Sequence, residues 1–130
     1  MLVHDAARPC LHSHDLSNLI DSLFEHPVGG LLAAPVADTL KQASGGKLPE
    51  VEATVDRSRL WRALTPQMFR FGALKRALAL CLERGVAITD ESSAMEFSGN
   101  MPALVEGRPD NIKVTVPSDL ALAGFILGQL

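Results

Sequence analysis

The sequence predicts an α/β fold, and three observations carry that prediction. Apolar residues recur at helical spacing in two places, Leu16, Leu19, Ile20, Leu23 and Phe24, then Phe71, Leu74, Leu78, Cys81 and Leu82. Short, nearly unbroken apolar runs such as "GLLAAP" and "ALVEG" lie between and around them as strands, and the first has the pattern of a strand buried on both faces. The two kinds of segment alternate along the chain, which is how helices come to cover a sheet.

The first strand is "LV" at Leu2–Val3, closed by Pro9, which lacks a backbone donor. A helix begins at Ser13 or His14, and Pro27, Gly29 and Gly30 end it. "GLLAAPVADTL" is the second strand, with polar Asp38 and Thr39 at its carboxyl side. Strand, helix and strand make a βαβ unit with a right-handed crossover. Gly45 and Gly46 then mark a turn, after which Val51, Ala53 and Val55 alternate with Glu52, Thr54 and Asp56. This predicts a hairpin with one wet face. A two-stranded ribbon is marginal alone, so a partner subunit is the natural support for this arm.

"RLWRALTPQMF" is read as a strand ending at Thr65–Pro66. The second helix follows, with Lys75, Arg76, Glu83 and Arg84 off its apolar stripe and Gly85 ending it. "AITDESSAMEF" predicts a cap at Thr89 or Asp90 and a short helix to about Ser98. "ALVEG" and "NIKVT" are two further strands around the turn "GRPDN". Pro117 and Asp119 open a last helix that is apolar almost all round and is therefore expected to be buried.

A chain of 130 residues is one domain by size. The net charge of −3, with no basic run, argues against a nucleic-acid partner. No apolar run is long enough to span a bilayer and no leader precedes Asp5, so a cytoplasmic protein without a membrane partner is expected. Cys10 and Cys81 are far apart and belong to no paired spacing; reduced thiols are expected.

Candidate functional residues are the charged and hydroxyl side chains at strand ends and in loops: Asp5, Arg8, Asp38, Thr39, Arg57, Thr65, Thr89, Asp90, Arg108 and Lys113. Ligands sit at the carboxyl ends of strands in open α/β sheets. An Asp there can hold a metal or a hydroxyl, and an Arg can fork onto phosphate. Few acids among several cations and threonines suit a phosphate substrate with a divalent metal better than hydrolysis by a carboxylate pair. There is no GK[ST] phosphate loop, and "HSH" at His12–His14 reads as a solvated helix entry, since no further ligands follow at zinc-like spacing. Asp38 and Asp90 also serve as ordinary caps or turn residues, and Arg57 as a solvated charge on the hairpin. Lys113, between Ile112 and Val114, either turns outward by strand alternation or serves a site.

The stretches "LVHDAARPCL", "LLAAPVADTLK", "TVDRSRLWRALTPQMF", "AITDESSAMEFSG" and "LVEGRPDNIKVTVPSDLALA" together resemble one family. It is the 2-C-methyl-D-erythritol 4-phosphate cytidylyltransferases of non-mevalonate isoprenoid biosynthesis. The resemblance implies a Rossmann-like nucleotidyltransferase sheet with helices on both faces and a protruding β-hairpin arm. Residues 1–130 would be the C-terminal part of that single domain, with a dimerisation arm at about 38–57. It implies transfer of CMP from CTP to methylerythritol phosphate, with magnesium and a homodimer. Asp5 would lie near the ribose and the metal, with Arg8 the cation of the same motif. Thr39, Thr65 and Thr89 would line the methylerythritol phosphate site. Arg57 would reach across a dimer to the substrate phosphate, and Lys113 would be the desolvated lysine that positions it.

The family's glycine-rich "PAAGxGxRM" loop, which holds the CTP phosphates, has no counterpart in this sequence. The fold is therefore expected to be incomplete at its N-terminal side, with the Leu2 strand lacking parallel neighbours. The chain alone is expected to be inactive and poorly stable. Two other readings compete: a cytidylyltransferase for another polyol phosphate such as ribitol 5-phosphate, and a non-catalytic dimerising fragment.

Overall fold

A computed structural model describes residues 1–130. Its ten elements are β1 (Leu2–Val3), α1 (Ser13–Leu23), β2 (Gly29–Pro35), β3 (Leu40–Ala43), β4 (Val51–Val55), β5 (Trp61–Phe69), α2 (Phe71–Glu83), α3 (Glu91–Phe97), β6 (Ala103–Glu106) and α4 (Pro117–Leu127). The α/β class is as expected from the sequence. Four strands form one sheet in the order β1-β5-β2-β6. β5 is antiparallel to both β1 and β2, and β6 is parallel to β2.

The side chains of the sheet separate by parity, as the pleat requires. Leu32 and Ala34 of β2, Leu64 of β5 and Val105 of β6 pack with Leu19 and Leu23 of α1. Phe69 of β5, of opposite parity to Leu64, packs with Leu74, Ala77 and Cys81 of α2 and with Ala94 and Met95 of α3. Helices thus cover both faces. β2 lies at the centre, buried from Gly29 to Ala34, which explains its unbroken apolar run.

Several expectations are corrected. β1 and β2 run in the same direction but are not neighbours, because β5 returns from later in the chain and inserts between them. On β1's other side no strand of this chain pairs. β5 does not stop at Pro66 but continues to Phe69. Its register against β2 shifts between Leu31 and Ala33, opposite Leu64–Pro66, so Pro66 sits at a bulge, where no ladder donor is needed. "NIKVT" is not a strand. Its segment donates Val114 N–H to the Ala7 carbonyl at 2.8 Å, and Ala7 lies in a turn that offers no ladder to extend.

The helices are less buried than their stripes suggest. Phe24, Phe71 and Leu82 face solvent, leaving a narrower contact face on α1 and α2. α4 is not a buried helix. Only Ala123 and Ile126 reach a small cluster around Cys10, and nothing in this chain packs on its other faces. The β3–β4 hairpin forms as expected, but its strands pair only with each other and both faces are exposed.

Candidate active site

The end of β1, the bulge of β5, the approach to α3 and the irregular segment around Lys113 converge on one open cleft of about 440 Å³. Asp5, Arg8, Thr65, Thr89 and Lys113 line it, with Gln67, Asp90 and Glu91 beside them. The turn that follows β1 is closed by Arg8 N–H donating to the Asp5 carbonyl at 3.0 Å. Two small alanines at the turn allow that reversal. It brings Arg8 Nε to 3.1 Å from Asp5 Oδ2. Lys113 Nζ stands 3.6 Å from the same oxygen. Two cations therefore meet on one carboxylate at the mouth of the cleft.

β5 supplies the floor. Thr65 is buried, and its Oγ1 accepts the Asp5 N–H at 3.0 Å. Gln67 is 1% exposed and fully used. It donates to the Leu64 carbonyl and to Asp90 Oδ2, and accepts Ser92 N–H at 2.8 Å. Asp90 rather than Thr89 is the helix cap, with Oδ1 accepting Ser93 N–H at 2.8 Å. Both Asp90 oxygens are thus engaged, which gives Asp90 a structural part and leaves Thr89 at the cleft wall.

The structure brings Asp5, Arg8, Thr65, Thr89 and Lys113 together and leaves Thr39 and Arg57 out of the cleft. Thr39 is exposed before β3. Arg57 is exposed after β4, where its Nη1 donates to the Val36 carbonyl at 3.1 Å. Asp38 is exposed, and Arg108 is forked onto Asp110 at 3.0 and 2.7 Å away from the cleft. Lys113 is not desolvated: its side chain is 51% exposed, because it belongs to a rim segment and not to a strand under cover.

No three metal-binding side chains cluster anywhere in the chain, so the donor set does not fit a closed protein cage. It does fit a cation that keeps its waters and takes phosphate oxygens, as magnesium does. Arg8 and Lys113 both approach Asp5 Oδ2, and Asp5 Oδ1 makes no hydrogen bond within the chain.

Residues 1–129 match the family model for 2-C-methyl-D-erythritol 4-phosphate cytidylyltransferase. The chain belongs to that family. It is 57% identical over 129 residues to the 2-C-methyl-D-erythritol 4-phosphate cytidylyltransferase of Vibrio parahaemolyticus, covering 99% of this chain and 54% of that one. It is 62% identical over 120 residues to that of Pseudomonas putida, covering 92% and 50%. A solved 4-diphosphocytidyl-2C-methyl-D-erythritol synthase superposes with a TM-score of 0.83 at 49% identity, over 97% of this chain and 56% of its own. The Thermus thermophilus cytidylyltransferase superposes with a TM-score of 0.86 at 29% identity, over 99% and 61%. The chain spans about half the length of the curated relatives it matches.

For a chain of this cytidylyltransferase family, Asp5, Arg8, Asp90 and Lys113 of the cleft were legible as candidates, whereas Glu91 on its wall and three residues that hold it together were not. His4, Gln67 and Asn111 are absent from the candidates. Gln67 carried a usable signal, a polar residue within the apolar run of a central strand. Asn111 Nδ2 donates to the Thr65 carbonyl at 2.8 Å and its own carbonyl accepts Arg8 Nη1. Nothing in the pattern around either His4 or Asn111 announces such a bond.

Proposed function

We propose that this chain carries the substrate-positioning part of an enzyme that transfers CMP from CTP to 2-C-methyl-D-erythritol 4-phosphate and releases pyrophosphate. The reading rests above all on one observation: Arg8 and Lys113 meet Asp5 beside Thr65 and Thr89 in a single open cleft.

The attacking group is a phosphate oxygen, already anionic, so the protein needs no strong general base. Its task is to align the attack on the α-phosphorus and to neutralise charge. Lys113 Nζ has three donors, and a single carboxylate neighbour leaves donors for the substrate phosphate. Its exposure lets the chain swing to meet that phosphate. Asp5 Oδ1 accepts from a ribose hydroxyl or faces magnesium. Magnesium, when bound, supplies charge neutralisation among the phosphates, and Asp5 is the residue that would hold it. Thr65 and Thr89 line the polyol.

Arg57 and Thr39 belong, in this reading, to the neighbouring site of a homodimer joined through the 38–57 arm. Arg57 gives one bond to the Val36 carbonyl and stands on an arm that nothing in its own chain covers. The enzyme operates in the cytoplasm; no helix is long and apolar enough to cross a membrane. The 130 residues alone are inactive in this reading, because no glycine-rich phosphate loop is among them.

The test is pyrophosphate release from CTP and methylerythritol phosphate by the enzyme that contains this chain. Lys113→Ala and Arg57→Ala each lower turnover about a hundred-fold, the scale of a lost charge-stabilising group. Mixing the two variants restores about a quarter of native activity, since half the dimers are mixed and each holds one intact site. Near-native activity in both single variants removes the assigned roles. Release with ribitol 5-phosphate but not methylerythritol phosphate changes the substrate.

A further inference from the structure

A closed ring of hydrogen bonds runs behind the cleft, and His4 completes it. His4 Nε2 lies 2.9 Å from the Arg8 carbonyl oxygen. A carbonyl only accepts, so Nε2 carries the proton and the neutral ring has a bare Nδ1. That Nδ1 lies 2.9 Å from Thr65 Oγ1, and the proton for this bond comes from the Thr65 hydroxyl. The same Oγ1 accepts Asp5 N–H at 3.0 Å. Thr65 has thus spent its one proton and one of its lone pairs, and a single lone pair remains. Burial and the bond from Asn111 Nδ2 to the Thr65 carbonyl hold the residue in place.

We propose that His4 is a positioning residue: its bare Nδ1 draws the Thr65 proton away from the cleft, leaving Thr65 Oγ1 an acceptor only. Resting on the reaction proposed above, this deepens it by assigning which part of the substrate Thr65 meets. A phosphate oxygen also only accepts, so it finds no partner at Thr65. A polyol hydroxyl can donate there, and the phosphate is left to Lys113. The substrate is thereby oriented by the direction of one hydrogen bond as well as by charge.

Two measurements test the proposal. The first is the ring-nitrogen spectrum of ¹⁵N-histidine-labelled enzyme at mildly alkaline pH, with His4 identified as the signal missing from His4→Gln or His4→Asn. The expected result is a single tautomer with the proton on Nε2. A proton on Nδ1, or exchange between the two tautomers, overturns the proposal.

The second is steady-state kinetics for methylerythritol phosphate. His4→Gln keeps a donor where Nε2 stood but loses the acceptor, so KM rises about tenfold, the scale of one hydrogen bond, while kcat stays within about threefold. His4→Asn places a carbonyl oxygen where Nδ1 stood and restores KM to within about threefold. The double variant His4→Gln/Thr65→Val is no worse than Thr65→Val alone, because His4 acts through Thr65. Equal losses in the Gln and Asn variants, or losses that multiply in the double variant, overturn it. If the unsubstituted enzyme transfers no CMP, the reaction is wrong, and the tautomer still decides the part played by His4.

Discussion

Arg8 Nη1 donates to the main-chain oxygen of Asn111 at 2.7 Å, joining the end of β1 to the segment before α4 across 103 residues of chain. Nε of the same guanidinium reaches Asp5. With its side chain only 11% exposed, this is a charge-assisted pair of bonds in partial cover. Arg8→Gln is expected to lower stability by about 2 kcal/mol, read as a lower urea midpoint with unchanged slope. Arg8→Lys keeps the charge but not the fork, and should recover less than half of that loss. A Lys variant as stable as the parent would show that charge alone matters there.

Gly30 makes a second prediction. It sits between β5 and β6, paired with Met68 on one side and Ala103 on the other. A Cβ at this position would overlap the main-chain oxygen of Ala103, which cannot move without opening the β2–β6 ladder. Gly30→Ala is therefore expected to cost about 3 kcal/mol or to prevent folding, at the top of the range for overpacking. Gly45→Ala, with open space at the hairpin turn, is the control and should be close to neutral. Equal midpoints for the two variants would refute the close approach.

Stability should fall in acid. Asp119 Oδ2 accepts from Thr115 N, Val116 N and Thr115 Oγ1 at 2.9, 3.2 and 3.1 Å. The backbone donors of Thr115 and then Val116 hold its carboxyl below the ordinary 3.8. The Arg108 guanidinium does the same for Asp110, and the Ser58 backbone N–H for Asp56. A depressed folded-state value means the contribution is present in full above the unfolded value. It is lost as pH falls from about 3.8 through the lower folded value. Unfolding midpoints should hold from pH 7 to about 5 and drop below about 4. Asp119→Asn should drop less over that last interval; a variant that tracks the parent would remove Asp119 from the acid response.

The sequence made the α/β class, the two stripes, the buried β2 and the hairpin legible because each is a local pattern. Strand neighbours are not local: nothing in "LV" or "GLLAAP" says that β5, arriving from residue 61 onward, will separate them. Pro66 suggested a strand end, since the rule that Pro stops a ladder does not see a bulge that needs no donor. In the site, Asp5, Arg8, Thr65, Thr89 and Lys113 were legible by residue type, although Thr65 lies inside β5 and not at its end. Gln67 showed only as a polar residue in an apolar run, and His4 and Asn111 not at all, because each bonds to Thr65, far along the chain. Apolar composition promised burial for α4, yet burial needs a covering layer, and composition does not report one.

That uncovered helix carries the last prediction. Leu120 and Phe125 of α4 are 65% and 67% exposed, with Leu122 and Leu127 also open to solvent. Contiguous apolar surface of this kind drives association, and the unpaired side of β1 offers a strand edge besides. The 130-residue chain is expected to self-associate with rising concentration, seen by light scattering. Leu120→Gln with Phe125→Gln removes little burial and keeps helix-compatible side chains. The double variant should scatter less while its far-ultraviolet circular dichroism stays that of the parent. If scattering is unchanged, the α4 face is not what brings the chains together, and β1 becomes the edge to block, with a charged residue at Leu2.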